Sequence, residues 1–178
     1  MLWRMAHTVV EEVLEPLRAA GQVAYLGEPV AVTEHLLQAA TIAEAERSSP
    51  ALVVAALLHD LGWLLGTGPG GHENRGAAFL SEFFDKSVTE PIRLHVQAKR
   101  YLCTIDPEYY QALTPASQRT LRTQGGLLDP TATAAFEAEH YALDAVRLRR
   151  FDDQAKQPGA PTRELDYFVP LVEGMIGV

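Results

Sequence analysis

The chain has a single cysteine, Cys103, among its 178 residues. One thiol closes no internal disulfide, so the fold must rest on its core, and the usage fits a reducing cytoplasm. No apolar run reaches the ~18 residues of a membrane span, and the N-terminal stretch MLWRMAHTVVEEVLEPL carries Glu11, Glu12 and Glu15 instead of a long apolar centre. It reads as an amphipathic helix with a solvated acidic face, not as a signal peptide. Basic charge is also scarce: 15 Lys and Arg against 23 Asp and Glu give a net charge of −8. That balance, with no basic stripe, excludes nucleic acid as a partner. An acidic chain that binds an anion must concentrate its positive charge locally. With 3 Met residues there is no methionine stripe.

What the chain does have is a set of legible helix starts. Ser49-Pro50, Thr89-Glu90-Pro91, Asp106-Pro107, Thr114-Pro115 and Asp129-Pro130 each place a capping side chain just ahead of a proline. Proline suits a first turn, because the N–H it lacks would be unbonded there. Apolar spacing then predicts helices near 3–19, 30–47, 50–65, 73–84, 89–103, 107–112, 115–123, 130–154 and 164–175, the last interrupted by Pro170. GTGPGG at 66–71 reads as a loop, and Gln124-Gly125-Gly126 as a glycine-ended helix. No stretch reads as a strand, linker or repeat. The expectation is an all-α fold, one compact helical domain over 1–178.

The run ALVVAALLHDLGWLL, 51–65, sets His59 and Asp60 side by side in an apolar helix. Burying those groups without partners costs several kcal/mol, and coordination to a cation removes the objection. His35, His72 and His95 are the other histidines in suggestive company, whereas His7 and His140 read as ordinary helix residues. Neutral imidazole and carboxylate are ligands for Fe, Mn or Zn. Spacing alone leaves open whether the histidines bind metal or are satisfied core groups. Cys103 reads as a packed thiol, and Tyr101, Tyr109 and Tyr110 as packing or surface aromatics.

The pattern His35, His59-Asp60, then a distal Asp in RLRRFDDQAK resembles the HD-domain superfamily of metal-dependent helical proteins. Phe-Asp-x-x-x-Lys, 151–156, resembles the end of the site in myo-inositol oxygenase and favours Asp152 as the distal ligand, with Asp153 the competing assignment. More specific blocks, AYLGEPVAVTEHLLQAA, VTEPIRLHVQAKRYLC and LTPASQRTLRTQGG, resemble the organophosphonate oxygenases of that superfamily over residues 22 to 157. The resemblance implies two iron ions in a mixed-valent Fe(II)/Fe(III) state, held by His35, His59, Asp60, His72, His95 and Asp152, with Asp60 bridging. It implies O2 as co-substrate. The substrate would be a small 1-hydroxy-2-(amino or trimethylamino)ethylphosphonate, cleaved at its C–P bond to phosphate and glycine or glycine betaine.

It further assigns Lys99, Ser117, Gln124 and Arg149 to the phosphonate, and Tyr25 and Glu28 to a gate over the site. Helical spacing is compatible: Lys99 shares a face with His95, and Arg149 with Asp152. An Arg fork suits phosphonate oxygens. Each residue also has a plainer reading: solvated cations for Lys99 and Arg149, a first-turn serine, a C-cap neighbour, and a packed Tyr25 and solvated Glu28 beside the turn formers Gly27 and Pro29. Trp63 stands where many relatives have His or Lys. It either packs in the core or faces the pocket, where its ring would attract a cationic head group. A metal-dependent phosphohydrolase is the alternative activity, and a non-catalytic metal-binding module a third.

Overall fold

The computed structural model describes residues 2–25, 27–67 and 71–177, with side chains from residue 9 onward. The side chain of His7 and positions 68–70 of the predicted loop therefore lie outside the described residues. Those described form helices and no strand: α1 (Leu2–Ala20), α2 (Val32–Ala45), α3 (Pro50–Leu58), α4 (Leu61–Leu64), α5 (His72–Leu80), α6 (Lys86–Ile105), α7 (Pro107–Ala112), α8 (Pro115–Thr123), α9 (Pro130–Glu137), α10 (Ala142–Gln154) and α11 (Leu165–Met175). The all-α expectation holds. No described helix is long and apolar enough to cross a membrane.

Four of the five cap-proline signatures open helices as expected. Ser49, Asp106, Thr114 and Asp129 each accept a backbone N–H from the first turn, with proline at its start. The fifth does not. α6 begins one turn earlier, where Asp85 accepts from Ser87 N at 2.8 Å, and Pro91 lies inside the helix. The lost N–H affects one early turn, and the helix continues because its next turns are buried on both sides. α11 likewise runs through Pro170, which stays exposed while Phe168 and Val172 reach the core. The stretch at 73–84 is helical only to Leu80; Phe84 instead pairs with Ile176 as an isolated bridge.

Two predicted helices are broken. The expected 50–65 helix stops at Leu58 and restarts at Leu61. The expected 130–154 helix breaks over 138–141, without glycine or proline to announce it. Phe136 before that break and Ala142 and Ala145 after it pack into one cluster with Leu94 and Ala98 of α6. Tertiary packing overrides local periodicity there.

α6 is central, packing against α3, α5 and α10, while α2 packs against α3 and α10. α3 is buried along its whole length, from Ala51 to Leu58. α1 buries Val10, Val13, Leu14 and Leu17 and leaves Glu12 and Glu15 exposed, as its amphipathic pattern requires. Burying an apolar side chain of that size stabilises by about 1.5–3 kcal/mol.

Candidate metal centre

His59 closes α3 and Asp60 opens α4, so the helix break falls between them. Their side chains thereby serve different clusters. His35 from α2, His59 and Asp152 from α10 bring ligand atoms within 4.8 Å of one another; Asp60, His72 from α5 and His95 from α6 do the same. All six side chains are buried.

Asp60 stands between the two triads. Its Oδ1 lies 3.0 Å from His72 Nε2 and 3.6 Å from His95 Nε2, and its Oδ2 lies 3.7 Å from His59 Nε2 and 4.0 Å from His35 Nε2. One carboxylate oxygen thus faces each triad.

The imidazoles are oriented for ligation. His35 Nδ1 is 2.6 Å from the carbonyl of Ala155, His59 Nδ1 2.9 Å from that of Ala56, and His95 Nδ1 2.7 Å from that of Ile92. A carbonyl only accepts, so each Nδ1 carries the proton, and Nε2 is the atom left to bind. His72 Nδ1 instead faces the Glu73 carboxylate at 3.4 Å. Burial lowers His35 to about 4 and His95 to about 3, which keeps both neutral.

Within each triad two Nε2 atoms then approach to 3.2 Å, His35 to His59 and His72 to His95. Lone pairs at that distance need a cation between them, a proton or a metal ion. A proton needs two partners, and each triad supplies a third in a carboxylate. The donor set of imidazole nitrogen and carboxylate oxygen therefore fits a divalent or trivalent transition metal in each triad.

Gly62 sets the position of His72. A Cβ there would come within 1.9 Å of the His72 carbonyl oxygen and 2.9 Å of Gly76 N. Only glycine lets α4 and α5 touch backbone to backbone, and that contact delivers the first residue of α5 to the second triad.

Beside the triads lies a pocket of about 40 Å³, lined among others by Tyr25, Glu28, Lys99, Ser117, Gln124, Arg149 and Lys156. Every residue assigned to the phosphonate or the gate reaches it. Lys99 is buried and donates to Thr120 Oγ1 at 2.9 Å, with no carboxylate in salt-bridge range among the described residues. Burial, with Arg149 nearby, lowers it to about 8. A buried ammonium without a direct salt bridge can accept an anion. Gln124 Oε1 is also buried without a hydrogen-bond partner.

Arg149 donates from NH1 to Asp152 Oδ2 at 2.5 Å and from Nε to the Tyr109 hydroxyl at 3.0 Å. Burial disfavours its charge, but Asp152 and Asp153 outweigh that and keep the guanidinium protonated. Burial likewise pushes the Asp152 carboxyl up, yet Arg149 and Lys156 hold it well below the usual carboxylate range. Asp152, not its neighbour, joins the His35–His59 triad; Asp153 turns to Arg149.

Tyr25 donates its hydroxyl to Asp60 Oδ2 at 2.5 Å and stacks on the His35 ring at 4.1 Å. Burial and the facing Asp60 raise the phenol well above its usual value, so it remains a donor. Glu28 accepts from Thr114 Oγ1 at 2.5 Å, which ties Glu28 to the start of α8.

Trp63 is not a core residue. It is 38% exposed, stacks on His72 at 4.4 Å, and stands with Gln124 between the inner pocket and an outer cavity of about 610 Å³. Two site residues escaped the sequence reading. Lys156 is buried, 3.0 Å from Asp152 Oδ1; the final Lys of RLRRFDDQAK was its signal. Tyr109, read as a packing or surface aromatic, instead binds Arg149 and Asp153. Cys103 is packed as expected, its thiol raised by burial to about 11, and His140 faces solvent.

No family model matches the chain. It is 38% identical over 165 residues, 88% of its length and 84% of the relative's, to a glycine-betaine-forming 1-hydroxy-2-(trimethylamino)ethylphosphonate dioxygenase of Leisingera caerulea. It is 40% identical over 177 residues, 94% of its length and 88% of the relative's, to a hydroxymethylphosphonate dioxygenase of Gimesia maris.

Proposed function

Since the chain belongs to the phosphonate dioxygenase family, we propose that it is a two-iron, HD-type oxygenase that cleaves the C–P bond of a small 1-hydroxyphosphonate. As a member of that family it is a metal-dependent, C–P-cleaving dioxygenase with a small-molecule phosphonate as substrate. The finer reading makes the whole chain one catalytic domain. It assigns His35, His59 and Asp152 to one iron, His72 and His95 to the other, and Asp60 to both. Mixed-valent Fe(II)/Fe(III) is the working state.

The observation that carries it is the juxtaposition of two imidazole–carboxylate triads with the buried Lys99 ammonium, which makes no direct salt bridge among the described residues. Two bound irons would supply Lewis acidity toward the substrate oxygens and the redox chemistry with O2. The chain supplies the rest. Lys99, Arg149, Ser117 and Gln124 hold the phosphonate, with Lys156 beside them, and orient C1 over the triads. Tyr25 keeps its hydrogen bond on Asp60 until substrate displaces it, and Glu28 closes the turn behind. Tyr25 and Trp63 limit water on either side of the inner pocket.

The net reaction consumes one O2 per 1-hydroxyphosphonate and yields phosphate and a carboxylate. An aminoethyl substrate gives glycine, its trimethylated analogue glycine betaine. The test is O2 uptake measured with phosphate release, using iron-loaded protein and the hydroxymethyl, aminoethyl and trimethylaminoethyl compounds. Equal O2 loss and phosphate gain on one of them is expected. Phosphate released from an ester without O2 loss would replace this reading with a hydrolase.

A further inference from the structure

Asp152 and Asp153 are adjacent, yet they act on opposite sides of Arg149. Asp152 Oδ2 receives NH1, and its Oδ1, in ion-pair range of Lys156 Nζ at 3.0 Å, faces His35 Nε2 at 3.5 Å. Asp153 takes the other edge of the guanidinium. Its Oδ1 receives NH2, and its Oδ2 lies 3.2 Å from Nε. The Tyr109 hydroxyl completes the arrangement, accepting from Arg149 Nε at 3.0 Å and donating to Asp153 Oδ2 at 2.5 Å.

We propose that Asp153 and Tyr109 are positioning residues for substrate: together they fix the guanidinium of Arg149 so that it can bind a phosphonate oxygen without capturing Asp152. This rests on the reading of Arg149 as a phosphonate ligand. The physical reason is competition between carboxylates. A guanidinium beside one buried carboxylate closes on both of its oxygens as a fork. Asp152 would then have no oxygen left for the His35–His59 triad. Asp153 occupies NH2 and Nε, so Asp152 keeps a single contact to NH1. Tyr109 stops Nε from turning away, because its hydroxyl has one proton and gives it to Asp153. Its position comes from α7, whose N-cap Asp106 binds Tyr109 N at 3.1 Å. Lys156, 3.5 Å from Asp153 Oδ1, is drawn to the same carboxylate.

The test compares Asp153→Asn, Asp153→Glu and Tyr109→Phe with the wild type in the full iron-loaded chain. Anaerobic binding of hydroxymethylphosphonate is read beside turnover and metal content. Asp153→Asn is expected to raise KM and Kd by roughly tenfold or more, as losing an outer-shell partner does, with kcat changed less and two metals retained. Tyr109→Phe gives the same split at smaller size, and Asp153→Glu recovers part of the affinity. Tyr109→Phe removes one oxygen and keeps the question answerable if Asp153→Asn does not fold. An unchanged Kd in both overturns the proposal, as does metal loss from Asp153→Asn matching that of Asp152→Asn. A wild type that binds the phosphonate but releases no phosphate would defeat the C–P reading, and the Kd ratios would still decide this one.

Discussion

His35, His59 and Asp152 lie deep among α2, α3 and α10, and of the three only Asp152 reaches the inner pocket, whereas Asp60, His72 and His95 all line it. The first triad takes its orientation from backbone: the carbonyls of Ala155 and Ala56 hold both imidazoles. In the second, only His95 is held that way; His72 leans on the Glu73 carboxylate, the Trp63 ring and the glycine contact between α4 and α5. Ligands pinned by main chain move only if helices move. Ligands pinned by side chains can be displaced one at a time. The two imidazoles of the sealed triad are therefore both held by main chain, and the open triad presents all three of its residues to the pocket.

The harshest test removes the residue the triads share. Asp60→Asn leaves neither triad with its facing carboxylate charge, and phosphate release is expected to fall below detection, with metal content reduced at both positions by elemental analysis. Gly62→Ala separates the triads. The clash with the His72 carbonyl forces α4 and α5 apart, at a cost of roughly 1–3 kcal/mol in a melt, and the second triad loses its metal while the first keeps its own. Equal loss from both would break the contrast.

Lys99→Met probes the boundary between them. Removing a buried charge with no direct salt bridge is expected to stabilise the fold, while KM for the phosphonate rises. Lysine ordinarily titrates near 10.5, and Lys99 is lowered to about 8. Between those values the unfolded chain holds a proton that the folded chain has released. The Lys99 contribution to stability therefore rises with pH across that window, as phosphonate affinity falls. Melting temperature and KM measured from pH 7 to 10 should therefore rise together, stability gaining as affinity is lost. The smallest effect belongs to Trp63→His on the open side: a shift of roughly two- to fivefold in preference from a trimethylated toward a free-amine substrate, the size of an exposed cation–π contact. Unchanged preference would place Trp63 outside substrate contact.

Much of this was legible before folding. Ser49, Asp106, Thr114 and Asp129 announced their helices because capping and proline geometry are local. The pair His59-Asp60 in its apolar run announced a need for polar partners, because burying it without them is too costly. Thr89-Glu90-Pro91 misled, since a cap one turn upstream at Asp85 sufficed and burial carried the helix through Pro91. Tyr109 was silent: nothing in its neighbours along the chain shows that Arg149, forty residues away, would accept its company.

The amino-acid sequence by itself determined the helical class, most helix starts and the polar pair set in an apolar run. Each follows from the energetics of a residue and its near neighbours. Only the tertiary structure decided how the candidates are divided. It parted His59 from Asp60 by breaking a helix, sent Asp152 to the His35–His59 triad and Asp153 to Arg149, and brought Trp63 out of the core to the wall of the pocket. Those outcomes depend on which helices touch. A backbone contact such as Gly62 against His72 exists only once α4 and α5 have packed.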